Sequence, residues 1–149
     1  DRNQMDQTLP HSRSFSSPLH AVLLAFPVAL YPAALVSDIT YLNTAVIQWS
    51  NFSSWLIAGA DLFAGIVLTW AVLSLFFGRA THMRRRGIAY HVVVAVMFVA
   101  GVTNAFQHAR DGWHSVGTLG LALSVLCTVL ALIAAFIAYG DANIRGGRT

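Results

Sequence analysis

The chain has 149 residues, of which 56% are hydrophobic and only 10% are charged, and its formal net charge is +3. Soluble domains carry about 25% charged residues, so this composition excludes a water-soluble globular protein and predicts an integral membrane protein. The net positive charge does not indicate a nucleic-acid partner, because the arginines cluster at the ends of apolar stretches.

Four apolar stretches are long enough to cross a bilayer, which takes roughly 20 residues of helix. In chain order they are Leu19–Val36, Trp55–Phe77, Ile88–Phe106 and Val116–Tyr139. The sequence therefore predicts an all-α membrane protein. Its four-helix transmembrane domain covers residues 18–140, after a polar N-terminal segment, 1–17, and before a polar tail, 141–149.

The arginines predict the orientation of these spans. They occur in the N-terminal segment, in the loop between the second and third spans and in the tail, whereas Arg110 alone lies on the other side. Positive charge stays cytoplasmic, so we expect both termini in the cytoplasm and an up-down-up-down bundle. Every basic residue is arginine and every acidic residue aspartate, a codon bias that suggests a bacterial source.

The connection between the first two spans, Ser37–Ser54, is the longest and is rich in aromatic residues. Aromatic side chains belong at the interface between bilayer and water. This segment is expected either to lie flat on the membrane as a short amphipathic stretch or to extend the first helix.

Two histidines stand near one end of the predicted bundle. His20 opens the first span and His91 lies just inside the third, which runs in the same direction, so their depths could agree within one turn. Two such imidazoles are what a six-coordinate heme b needs as axial ligands. The alternatives are that His20 contacts lipid headgroups and that His91 makes a hydrogen bond between helices.

Arginines next to this pair of histidines would suit the carboxylates of a heme. They are Arg84, Arg85 and Arg86, and we expect them as propionate contacts if a heme binds. The same run also has a simpler explanation, because it could serve only to orient the helices.

Asp61 is the deepest acid in the chain, and a carboxylate in hydrocarbon needs a partner. We expect it near the extracytoplasmic side, paired with His108, Asn104 or His114, and His108 is the preferred partner. Such a pair could be structural or could carry protons. Asn104 and His108 should share one face of the third span.

Small residues recur four positions apart in three spans, as in Ala60 with Ala64, Gly101 with Ala105 and Ala131 with Ala135. Such pairs let helix backbones approach closely in lipid. Packing within the bundle is the simpler explanation, and a contact surface for a partner protein is the alternative. Met97 is expected to fill the core rather than to bind a metal.

Short motifs resemble a known family. Pro18-Leu19-His20, then Phe26-Pro27-Val28-Ala29-Leu30, then Asp38, and later the basic stretch with Gly87 and His91, are similar to small bacterial four-span membrane proteins. These proteins are catalogued as domain of unknown function two-two-three-one. The resemblance covers about Pro18 to Tyr139 and implies a bacterial inner-membrane location, without an assigned activity.

Two functional hypotheses follow. The preferred one is a non-catalytic accessory subunit that packs against a larger bioenergetic membrane complex, because the sequence has no convincing catalytic residues. The alternative is an electron-transfer module with heme b between His20 and His91. A proton-linked transporter using Asp61 and His108 is less favoured, since four short spans show no inverted repeat.

Overall fold

The computed structural model describes residues 18–76, 85–110 and 116–146, with the side chains of 75, 76, 85, 86 and 141–146 left outside the description. These residues form four helices: α1 Pro18–Thr44, α2 Ile47–Phe76, α3 Arg85–His108 and α4 Thr118–Gly146. All four are long and apolar enough to cross a membrane. No strand occurs in the described ranges, so the predicted all-α membrane fold is confirmed.

Each helix packs against two neighbours around one core. α1 packs against α2 and α4, and α3 packs against the same two helices, so α1 and α3 face each other across the diagonal of the bundle. Consecutive helices are antiparallel neighbours, as short connections require. The direction of the bundle in the bilayer stays a prediction.

The connection between α1 and α2 is far shorter than expected. α1 continues to Thr44 and α2 begins at Ile47. The expected extension of the first helix is therefore confirmed, and the alternative of a separate segment lying flat on the membrane is wrong. The hydroxyls of Thr40 and Thr44 bond to the carbonyls four residues earlier, at 2.7 Å each, which satisfies these polar groups inside a continuing helix. Ala45 ends α1 in the left-handed region, with φ of 55°.

Small residues allow the close packing of the core. Ala60, Ala64 and Ala131 are completely buried, which confirms that they serve packing within the bundle. Met97 is also completely buried and belongs to the same apolar cluster, as predicted.

Candidate functional site

His20 points into the bundle and not toward lipid headgroups. Its Nε2 lies 2.7 Å from the hydroxyl of Tyr90 on α3, and the two rings meet edge to face at 5.5 Å. His20 and Tyr90 are both buried. The side chain therefore forms a hydrogen bond across the diagonal of the bundle, a role that the sequence predicts as an alternative for His91 and not for His20.

His91 makes its hydrogen bond to its own helix. Its Nδ1 donates to the carbonyl oxygen of Gly87 at 2.6 Å, and because Nδ1 carries the proton, Nε2 presents a lone pair. That Nε2 is buried and has no hydrogen-bond partner. A histidine with Nδ1 fixed by a carbonyl and Nε2 free has the arrangement seen in metal-binding imidazoles.

The predicted propionate contacts are side chains outside the described part of the chain. Arg84 lies outside the described residues, and so do the side chains of Arg85 and Arg86. Within the described ranges, no three histidine, cysteine or acidic side chains come together as a metal site would require.

A network of four buried polar side chains lies toward the other end of the bundle. His108 Nε2 is 2.9 Å from Asp38 Oδ1, and His108 Nδ1 is 3.0 Å from the backbone oxygen of Asn104, on the same face of α3 as expected. The Ser124 hydroxyl donates to Asp38 Oδ2 at 2.5 Å, and the Asn104 amide donates to Ser124 at 2.9 Å. The network joins α1, α3 and α4.

The predicted pairing of Asp61 with His108 is wrong. His108 uses both ring nitrogens on Asp38 and Asn104, while the Tyr31 hydroxyl donates to Asp61 Oδ1 at 2.5 Å. Both members of the expected pair are buried, but with different partners. The reason is depth: α2 begins at Ile47 instead of Trp55, so Asp61 lies near the middle of its span and not at the extracytoplasmic end.

Gly101 on α3 makes room for the pair formed by Tyr31 and Asp61. A Cβ atom at this position would collide with the Asp61 carboxylate and the Tyr31 hydroxyl. Three helices thus meet at the carboxyl group, near the middle of the candidate span Ile47–Ser74. An ionisable group at that depth is costly and is by default a candidate functional residue.

Two hydrogen bonds cross the diagonal of the bundle, His20 with Tyr90 and Asp38 with His108, and their residues are equally spaced on α1 and α3. Eighteen positions separate His20 from Asp38 on α1, and eighteen separate Tyr90 from His108 on α3. At about 1.5 Å per residue, the bonds lie about 27 Å apart along parallel helices. The hydrocarbon core of a bilayer is about 30 Å thick, so the two bonds would lie near its two edges, with Tyr31 and Asp61 between them.

Sequence reasoning missed three polar partners in this interior: Tyr31, Tyr90 and Ser124. A tyrosine in the middle of an apolar run needs a partner for its hydroxyl, and that signal was available in the sequence. Asn104 was singled out, but its Oδ1 is buried without a hydrogen-bond partner, which the sequence could not reveal.

Comparison with known proteins gives a family without an assigned activity. No curated protein matches the chain, and no solved structure does. A family model described as "Predicted membrane protein (DUF2231)" matches residues 16–140, which span all four helices up to the end of the last candidate span. The chain therefore belongs to the DUF2231 family of predicted membrane proteins.

Proposed function

We propose that this protein is a non-catalytic accessory subunit that packs, through the outer face of α1, against a transmembrane helix of a larger membrane complex. Three small residues on α1 carry the proposal. Ala25, Ala29 and Ala33 follow one another at intervals of four and are all exposed on the outside of the bundle. Small residues at this spacing let a second helix approach closely in lipid.

The polar interior of the bundle is consistent with this role. Asp38 bonds to both His108 and Ser124, and Asp61 bonds to Tyr31. These groups stabilise the bundle internally and leave α1 an outer face of small and apolar side chains. The aromatic side chains at the start of α2, among them Trp55 at 79% exposure, would give a partner a second contact near the membrane surface.

The experiment compares two alanines on outward faces. Tagged protein is extracted from native membranes in digitonin and separated by native electrophoresis, followed by mass spectrometry of the band. Ala29→Leu should release the chain from the complex, because the larger side chain holds the partner helix away. The matched control is Ala122→Leu on the exposed face of α4, which should leave the complex intact.

Two results would contradict an accessory role. One is a wild-type chain that migrates alone, at the size of a 16.1 kDa protein with its detergent. The other is a band that contains only copies of this chain, which would make the α1 face a contact between identical subunits.

We propose heme b binding between His20 and His91 as the alternative function. The supporting observation is the buried Nε2 of His91, which has a free lone pair. His20 lies in the interior on the parallel helix, one position out of register with His91. For His20 to bind iron through Nε2, the hydroxyl of Tyr90 would have to move away.

A visible spectrum separates the two proposals. Protein produced with added 5-aminolevulinate, purified and reduced with dithionite, would show a b-type band if heme is bound. His20→Ala or His91→Ala would abolish that band, and His11→Ala, in the polar N-terminal segment, would keep it. Colourless wild-type protein, or a band that survives His91→Ala, would overturn the heme proposal and leave the accessory role untouched.

A further inference from the structure

A groove on the outside of the bundle runs between α2 and α3 and opens toward lipid. Its volume is about 750 Å³, and its walls include Ala58, Gly65, Leu73 and Phe98. From Ala58 to Leu73 along α2 it extends about 22 Å, taking 1.5 Å per residue. Pockets of about 300–1,000 Å³ are typical of small-molecule sites.

Asp61 makes this groove different from an ordinary lipid-facing surface. Asp61 is one of the residues that line the groove, although only 8% of the residue is exposed. Oδ1 accepts the hydrogen bond from Tyr31, and within the described residues Oδ2 has no such partner. The one buried acid at the middle of the bilayer among the described spans thus has an oxygen left for a molecule in the groove.

The depth of Asp61 restricts which molecule can use that oxygen. Phospholipid headgroups stay at the membrane surface, so a polar group that reaches the middle of the bilayer must belong to a molecule without a charged head. A carboxyl group that keeps its proton can donate to a carbonyl, and one that has lost it can accept from a hydroxyl. Quinones present a carbonyl when oxidised and a hydroxyl when reduced.

We propose that the groove between α2 and α3 binds a membrane quinone, with the ring at Asp61 and the hydrocarbon tail along α2 toward Leu73. The ring of Phe98 lies beside Gly65, close to Asp61, and offers a flat aromatic wall. The tail needs only apolar contact, which Leu73 and its neighbours provide. The site lies on helices other than α1, so it does not depend on the proposed accessory contact.

The test uses the full chain in phosphatidylcholine nanodiscs and an azido derivative of decylubiquinone as a photoactivated probe. Cross-links are located by mass spectrometry. We expect saturable labelling of the stretches 58–73 and 98–102, which excess decylubiquinone prevents. Farnesol, an isoprenoid alcohol without a quinone ring, should not prevent it.

Variants connect the labelling to the groove. Val102→Phe fills the groove beside Asp61, and Val129→Phe adds the same ring to the exposed face of α4 as the matched control. Val102→Phe should abolish saturable labelling and Val129→Phe should not change it. Asp61→Leu should raise the apparent Kd about tenfold, which corresponds to the loss of one hydrogen bond.

Three outcomes would overturn the proposal. They are labelling spread evenly over all four helices, labelling unaffected by Val102→Phe, and equal competition by farnesol. The last would show a site for isoprenoid chains in general. Because Val102→Phe leaves the bond between Tyr31 and Asp61 in place, it keeps the test decisive even if Asp61→Leu fails to fold.

Discussion

His108 and Asp38 form a hydrogen bond of 2.9 Å between two helices, α3 and α1, whose backbones are not neighbours. The bond crosses the diagonal of the bundle, and both side chains are fully buried. The Ser124 hydroxyl on α4 donates a hydrogen bond to the other oxygen of the Asp38 carboxylate. Asp38 therefore links α1 to both α3 and α4 at one end of the bundle.

Removing that acid should destabilise the bundle. Asp38→Leu leaves the His108 ring and the Ser124 hydroxyl without their partner, at about 1–3 kcal/mol for each buried group. The free energy of unfolding, measured by SDS titration in mixed micelles, would fall accordingly. Ser37→Ala is the control, because the Ser37 hydroxyl bonds within its own helix, to the carbonyl of Ala33. Equal effects of the two substitutions would contradict this account.

A double-mutant cycle on Asp38 and His108 would measure the bond itself. Interhelical hydrogen bonds in membranes have coupling energies of about 0.6 kcal/mol on average and up to about 1.7 kcal/mol. Because this bond is buried and bears a carboxylate, we expect a value in the upper half of that range. A coupling energy of zero would mean that the two side chains contribute independently.

Gly101→Ala should be strongly destabilising. Its methyl group would overlap the Asp61 carboxylate and the Tyr31 hydroxyl, and such overpacking typically costs about 1–3 kcal/mol. Gly140→Ala is the matched control, because a Cβ there meets nothing within 4 Å. The control should be neutral or slightly stabilising, since alanine favours helix over glycine. Combining Gly101→Ala with Asp61→Ala should restore part of the loss in thermal stability.

Ala45→Gly should stabilise the protein. Ala45 has φ of 55°, a conformation that costs an L-residue about 1–2 kcal/mol and glycine almost nothing. The midpoint of thermal unfolding in detergent should rise. The same exchange in a regular helical position, Ala122→Gly, should lower it, because glycine weakens a helix. A lower midpoint for Ala45→Gly would show that the alanine methyl group makes contacts that outweigh the strain.

The orientation predicted from the arginines can be tested by labelling. Cys127 is completely buried and is first replaced by alanine. A cysteine at Asn43, in the last turn of α1, should react with a membrane-impermeant maleimide in intact spheroplasts. A cysteine at Thr81, in the arginine-rich loop, should react only after lysis. The reverse pattern would place both termini outside the cytoplasm.

The fold was predictable from the sequence, whereas the partners of its polar residues were not. Four apolar runs fix the number of helices, because backbone groups in lipid must bond within a helix. The rotation of each helix and its axial position depend on packing among all four. α2 begins at Ile47 and not at the predicted Trp55, so Asp61 lies deeper in the bundle than predicted. At that depth its hydrogen-bond partner is Tyr31 and not the predicted His108.

The matched eighteen-residue spacing also limits how the bundle can move. If α1 moved along its axis relative to α3 by one helical turn, about 5.4 Å, both diagonal hydrogen bonds would break together. These are the bond between His20 and Tyr90 and the bond between Asp38 and His108. Tilting of α2 or α4 would leave both diagonal hydrogen bonds intact, because these bonds join α1 to α3. We therefore expect α1 and α3 to behave as one rigid frame, with any motion confined to the two helices that flank it.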